Sequence, residues 1–386
     1  MRGGRQSALG TVTARLSLDG MSAPVFIGST IYRGSRYGRL HPLSIERVPA
    51  VIDLSRALGW LPAERYLTSP RAKPAALTGF HDPDYLAALQ RAEAEGQVSE
   101  EVRARYGLGT LSNPVFPEMY RRPATAAGGG LLAAERVLKG GVVYNPGGGT
   151  HHGLPDRASG FCYVNEPVVT IRRLLELGVE RVAYVDIDAH HGDGVELAFA
   201  GSSRVRMISV HEENRWPRTG LLTDDAGGAA FNLPVGRGFN DTEFALVLDK
   251  LILPAVEAFA PEAVFLQCGA DALTEDPLSR LALSNNSHRR AVRALRGLSP
   301  RFIVSGGGGY NPWSVARCWT SVWGELSGQA VPDALPEAAQ ALLRGLGWAR
   351  KGRPEAALLS TLHDAPREGE IRDTLRADVE RLAARI

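Results

Sequence analysis

The chain has 386 residues, of which 44% are apolar, enough to bury a large core in one α/β domain or two smaller ones. Its 44 basic and 42 acidic side chains leave a net charge of +2 and are interspersed, which excludes a basic stripe for nucleic acid or an anionic membrane surface. Cys162, Cys268 and Cys318 make no pair that reads as a disulfide or zinc knuckle, and no stretch approaches a membrane span, so a reducing cytoplasm is the expected setting.

Residues 1–21 are biased to Gly, Arg and Ser and carry no apolar h-region before a small-residue cleavage site, which predicts a disordered tail ahead of a domain over 22–386. APVFIGS opens that domain as a strand-like run. Residues 31–120 follow as a loop-rich stretch of short helical pieces. From there apolar, β-branched runs alternate with amphipathic ones: PATAAGGGLLAAERVLKG, then GVVYNPGGG; EPVVTIRRLLELG, then RVAYVDID and VRMISVHE; TEFALVLDKLILPAVEAFAP, then AVFLQCGAD and later RFIVSGGGG. Gly178 in ELGVERV and the proline in FAPEAV stop the helices that precede two of these strands. Strand and helix in alternation predict a doubly wound, mainly parallel sheet with helices on both faces. Residues 327–386 read as Ala/Leu/Arg/Glu helices broken by Pro and Gly, and no internal repeat is found.

Chemistry-bearing side chains gather at four strand ends. In YVDIDAHHGDG, Asp186, Asp188 and His190 share one parity and in an extended segment would project from one face. Pro146–Gly149 lets backbone approach closely before His151 and His152. AVFLQCGA ends in Asp271, and four glycines ending at Gly309 precede Tyr310. Taken singly, each has a plainer reading: a structural His pair, an N-cap carboxylate, a turn. No Lys or Ser/Thr follows the glycines at P-loop spacing, which argues against a nucleotide site. Taken together they supply a metal triad (Asp188, His190, Asp271), two proton-transferring imidazoles (His151, His152) and a phenol (Tyr310), at the end of the sheet where α/β proteins place ligands.

The motifs RGSRYGRLHPLSIERV, FHDPDYL, YGLGTLSNPVF, GGGTHHG, DRASGFCYVNEP, YVDIDAHHGDGVE, GADALTEDPLSRLALS and SGGGGYNPWSVARCW run in order from about residue 26 to 320. Through them the chain resembles the histone deacetylase superfamily, of arginase/deacetylase fold, in its bacterial acetoin-utilization and class I-like branch. The resemblance implies a zinc ion, with iron(II) as the alternative, on Asp188, His190 and Asp271. It implies that Asp186 and Asp193 orient His151 and His152, with Tyr310 completing the catalytic set. It implies an acyl tunnel walled by Phe161 and Trp216, with Gly160 on its floor, Leu278 at its rim and Gly308 among the substrate-binding residues. It also implies a structural K+ or Na+ held by Asp186, Asp188, His190, Ser209 and Val210, and a second near Phe199, Ser202 and Val205. The expected activity is hydrolysis of acetylated lysine or a small acetylated amine, with no nucleic-acid or membrane partner and an oligomeric state the sequence does not set. Two departures bear on substrate: Ser112-Asn113 stand where many relatives place a peptide-gripping Asp, and Trp216 where Phe is usual in the peptide deacetylases. A binuclear manganese hydrolase would need carboxylates where this chain has Gly192 and Leu273, and an inactive binding protein would have lost a ligand or the tyrosine.

Overall fold

Eight short strands, all paired in parallel, make one sheet in the computed structural model of the chain, which describes residues 23–350 and 354–386. The tail expected over 1–21 lies outside the described residues. The strands are β1 (Val25–Gly28), β2 (Tyr66–Thr68), β3 (Gly141–Asn145), β4 (Val182–Asp186), β5 (Val205–Glu212), β6 (Ala230–Val235), β7 (Ala263–Gln267) and β8 (Arg301–Ser305), in the order β2-β1-β3-β8-β7-β4-β5-β6. Every residue of β3, β4 and β7 is buried, as expected for parallel strands covered on both faces.

The two-residue period of the strands sorts their side chains into two cores. Val143, Tyr184, Phe265 and Ile303 face Ala133, Val137, Ile171 and Leu174 of the helices Arg121–Val137 and Glu166–Glu176. Tyr144, Val185, Leu266 and Val304 face Val51, Leu54, Trp319 and Trp323 of Val48–Ala57 and Pro312–Ser327. That last helix starts on Asn311, whose side chain accepts from the Trp313 and Ser314 N–H groups, with Pro312 in the first turn where its missing donor costs nothing. Leu343, Leu358, Leu375 and Val379 of the C-terminal region pack on the same core, and buried Arg317 pairs with Asp364 at 2.7 Å. No described helix is long and apolar enough to cross a membrane.

Three features differ from the expectations. β2 and β6 were not anticipated; both lie at the sheet's edges, and β6 carries Pro234, which an edge strand tolerates. The stretch TEFALVLDKLILPAVEAFAP is not one regular helix but Asp241–Val247, a π-helical turn over Leu248–Ile252, and Leu253–Phe259. Pro254 lacks an N–H and its ring crowds the carbonyl four residues back, and the widened turn just before it accommodates both.

This topology positions the site. The chain leaves β3, skips two places to β4, and later fills the gap with β7 and β8, so the loops after these four central strands converge at one edge. A buried polar ladder fixes them: Gln267 Nε2 donates to the Gly149 carbonyl at 2.8 Å, and Ser305 Oγ donates to Gln267 Oε1 at 2.9 Å.

Candidate active site

β4 ends at Asp186, and Asp188 and His190 lie in a bend beyond it, so the three do not share one extended face as their parity suggested. Side-chain turns fold the bend instead: Asp186 Oδ1 accepts from the Asp188 N–H and Asp188 Oδ1 from the His190 N–H, each at 3.0 Å. The result carries Asp188 and His190 toward Asp271, whose Oδ1 accepts from the Ala189 N–H at 2.9 Å. One potential ligand atom from each of Asp188, His190 and Asp271 lies within 4.8 Å of the others, and all three residues are buried. Among the described residues this is the one such group of three, and Gly192 and Leu273 add no second set of carboxylates.

Two buried carboxylates and an imidazole form an O/O/N donor set suited to one small divalent ion. Their electrostatics fit a cation as well. Burial would lower the His190 pKa, yet the Asp271 and Asp188 carboxylates, at 2.9 and 3.3 Å, hold it up to about 10. Burial and then the Asp188 charge push Asp271 up, so the carboxylates repel each other unless a positive charge sits between them. The Gly308 N–H donates to Asp188 Oδ2 at 2.6 Å, and a Cβ on Gly308 would collide with Asp271 Oδ2, so the glycine run is what admits the backbone here.

The His151 and His152 rings lie tilted at 57° with their centroids 4.0 Å apart, and each gives its Nδ1 to a separate carboxylate, Asp186 at 2.8 Å and Asp193 at 2.7 Å. His151 Nε2 faces the triad, 3.8 Å from Asp188 Oδ1, and the His152 ring lies edge-on to that of His190 with 6.0 Å between centroids. The two rings differ in charge. Burial pulls His151 down, but Asp186, Asp188 and Asp193 outweigh it and bring its pKa to about 9. His152 is driven to about 4 by burial and by the neighbouring His151, which its bond to Asp193 does not offset.

Tyr310 lines the cavity, its ring packed edge-on with Phe161 at 5.8 Å and its N–H donating to Asp276 Oδ2 at 2.6 Å. Burial first, and then the Asp271 and Asp188 charges, raise its hydroxyl well above 10, so it stays a neutral donor. Phe161 takes a left-handed φ of 68°, fixed by its N–H on Asn113 Oδ1 at 3.0 Å and its carbonyl on the Tyr37 hydroxyl at 3.1 Å. Asn113 is thus turned inward to hold the wall, while Ser112 is exposed and supplies no carboxylate. Trp216, 44% exposed, lays its ring 4.6 Å from His152, and a Cβ on Gly160 would strike it. Leu278, like Phe161, is partly buried against the hydrophobic cluster that contains Tyr310. At the positions expected to hold monovalent cations, Ser209 pairs in register with Asp186 and its Oγ bonds His211 Nδ1 at 2.9 Å. Val210 follows Ser209 on β5, while Phe199, Ser202 and Val205 flank the turn leading into β5, where the Ser202 N–H donates to the Phe199 carbonyl at 3.0 Å.

Residues 41–326 match the model of the histone deacetylase domain, which spans all four strand ends of this site. The chain belongs to the histone deacetylase family. It is 34% identical to the acetoin utilization protein AcuC of Bacillus subtilis over 322 residues, 80% of this chain and 83% of that one. It is 36% identical over 309 residues to a putative histone deacetylase 2 of Caenorhabditis elegans, covering 78% of this chain but only 61% of that relative's length. Among solved structures, an HDAC homolog from Aquifex aeolicus superposes with a TM-score of 0.89 at 36% identity, covering 94% of this chain and all of that one. An HDAC homolog complexed with SAHA matches with the same figures.

Family membership implies a metal ion, for which the triad is the candidate site. Several residues that build this deacetylase-type cavity had no role assigned from the sequence: Asp276 under Tyr310, Glu166 under the Gly147–Gly149 loop, and Arg47, Arg122 and Tyr32 at the cavity's foot. Asp276, Glu166 and Arg47 lie within the family motifs, which was the available signal; Arg122 and Tyr32 carried none.

Proposed function

We propose that this chain is a metal-dependent deacetylase that hydrolyses the amide of acetylated lysine or of a small acetylated amine, releasing acetate and the free amine. The observation that carries this reading is the convergence of the O/O/N triad, two carboxylate-paired histidines and a neutral phenol on one narrow cavity. Asp188, His190 and Asp271 would hold the ion, zinc by their donor chemistry or iron(II). When bound, such an ion supplies Lewis acidity, polarising a carbonyl and bringing a water's pKa to about 7.

The chain's own groups then divide the proton work. His152, with its pKa near 4, is neutral at pH 7 and accepts the proton of the attacking water. His151, near 9 and anchored by Asp186, is charged and gives a proton to the departing nitrogen, which is too poor a leaving group to go as an anion. The Tyr310 hydroxyl donates to the oxygen on which negative charge develops, an effect on the order of 3 kcal/mol for one such donor. Phe161 and Trp216 flank the acyl chain and exclude water. Exposed Ser112, where a peptide-gripping carboxylate would stand, tilts the reading toward small acetylated amines.

The test is turnover of acetyl-lysine and acetylpolyamine probes by the zinc- and iron(II)-loaded protein. Tyr310→Phe is expected to lose roughly a hundredfold or more in kcat with KM little changed, and a hydroxamate is expected to inhibit. Full turnover by Tyr310→Phe or by His152→Ala would refute the assignment.

A further inference from the structure

The cavity does not end at Tyr310. Arg47, Arg122, Tyr32 and Tyr37 line the same cavity of about 40 Å³ as His151, His152, Phe161 and Tyr310. Arg122 is 9% exposed; its Nη1 donates to the Ser35 carbonyl at 2.8 Å, and its guanidinium lies over the rings of Tyr32 and Tyr37 at 5.5 and 5.1 Å. Arg47 donates Nη1 to the Gly307 carbonyl at 2.6 Å and lies over Trp319 at 5.2 Å. Among the described residues neither guanidinium has a carboxylate partner, and the Tyr32 hydroxyl, on a residue 6% exposed, has no hydrogen-bond partner at all. The buried carboxylates nearby are engaged elsewhere: Glu166 with the Gly149 N–H and Thr170 hydroxyl, and Asp188 and Asp271 with the triad. Two unpaired guanidiniums and an orphan phenol in one buried space are costly unless an anion joins them.

We infer that the foot of the cavity recognises a carboxylate at the end of the acyl group, so that the preferred substrates are short dicarboxylic half-amides, malonyl- or succinyl-type amines. This deepens, and rests on, the deacylase reading above. A carboxylate accepts the forked donors of a guanidinium together with a phenol O–H. The whole cavity, from the catalytic histidines to the two guanidiniums, holds about 40 Å³, which favours a short acyl group over a long one. The reaction balances as before: water adds across the amide, the acyl carbon leaves with the water's oxygen as a dicarboxylate, and the nitrogen takes a proton.

The experiment compares kcat/KM of the metal-loaded full chain for acetyl-, succinyl- and succinamoyl-lysine probes, the last being the neutral isostere of the second. Succinyl is expected to exceed succinamoyl by roughly tenfold or more, with the ratio falling toward one in Arg122→Gln and partly recovering in Arg122→Lys. Good turnover of acetyl-lysine with no succinyl preference would overturn the inference and leave the deacetylase reading standing. If no probe is turned over, that reading fails by itself, and calorimetric titration with succinate decides this one. Binding that weakens roughly tenfold in Arg122→Gln supports it; no binding, or equal binding by the variant, overturns it.

Discussion

Glu166 is a buried carboxylate whose cost to the fold should be measurable. It lies in the first turn of the helix Glu166–Glu176, beneath the glycine loop that carries His151 and His152. Its Oε2 accepts from the Gly149 N–H at 2.8 Å and its Oε1 from the Thr170 hydroxyl at 2.7 Å. Burial nevertheless prevails over these bonds and raises its pKa from 4.5 to about 7. A group that binds its proton more tightly when folded stabilises the fold below the unfolded pKa, and this contribution is lost as pH rises through the folded one. The window here is therefore about pH 4.5 to 7, and at about 1.36 kcal/mol per tenfold the loss is on the order of 3 kcal/mol. Glu166→Gln keeps an acceptor for Gly149 and removes the charge, so its stability relative to the native chain should rise by that amount between pH 4.5 and 8. Urea unfolding followed by the fluorescence of the six tryptophans at a series of pH values gives this difference directly. A difference that stays constant across the series would refute the reasoning.

Three further outcomes are expected. Asp276 accepts from both the Tyr310 N–H and the Leu278 N–H, at 2.6 and 2.9 Å, so Asp276→Asn, which replaces one acceptor by a donor, should lower kcat by roughly tenfold with a smaller change in KM; an unchanged kcat would remove its positioning role. Gly160 has φ 52° and no room for a Cβ beside Trp216 and His152, so Gly160→Ala should cost about 1–3 kcal/mol of stability and raise KM, checked by thermal unfolding and steady-state kinetics. Asp271→Asn should reduce bound metal measured by elemental analysis from about one ion per chain to a small fraction of that, and the chelator-induced drop in Tm expected for the native chain should vanish with it.

How much of this was legible depends on what kind of force set each feature. β3, β4, β7 and β8 could be read because buried parallel strands must be apolar throughout, and Asp188, His190, Asp271 and Tyr310 because their side-chain types are out of place directly after such strands. β2, of three residues, and β6, with Asn232 and Pro234 inside it, are strands only because β1 and β5 offer an edge to pair with, and no local pattern records that. The bend at residues 186–190 shows the same limit within the site. Parity correctly groups the residues, but it is the two side-chain turns on Asp186 and Asp188 that carry the ligands toward Asp271. Arg122 was illegible for a stronger reason: an arginine beside another in a helix's first turn reads as surface, and only the packing of Arg121–Val137 against Tyr32 and Tyr37 turns it inward. The catalytic groups are thus fixed by the chemistry any amide hydrolase of this kind needs, whereas the cavity's foot is fixed by tertiary placement. It is at the foot, where the constraint of the shared reaction is weakest, that selectivity among acyl groups can diverge without disturbing the triad.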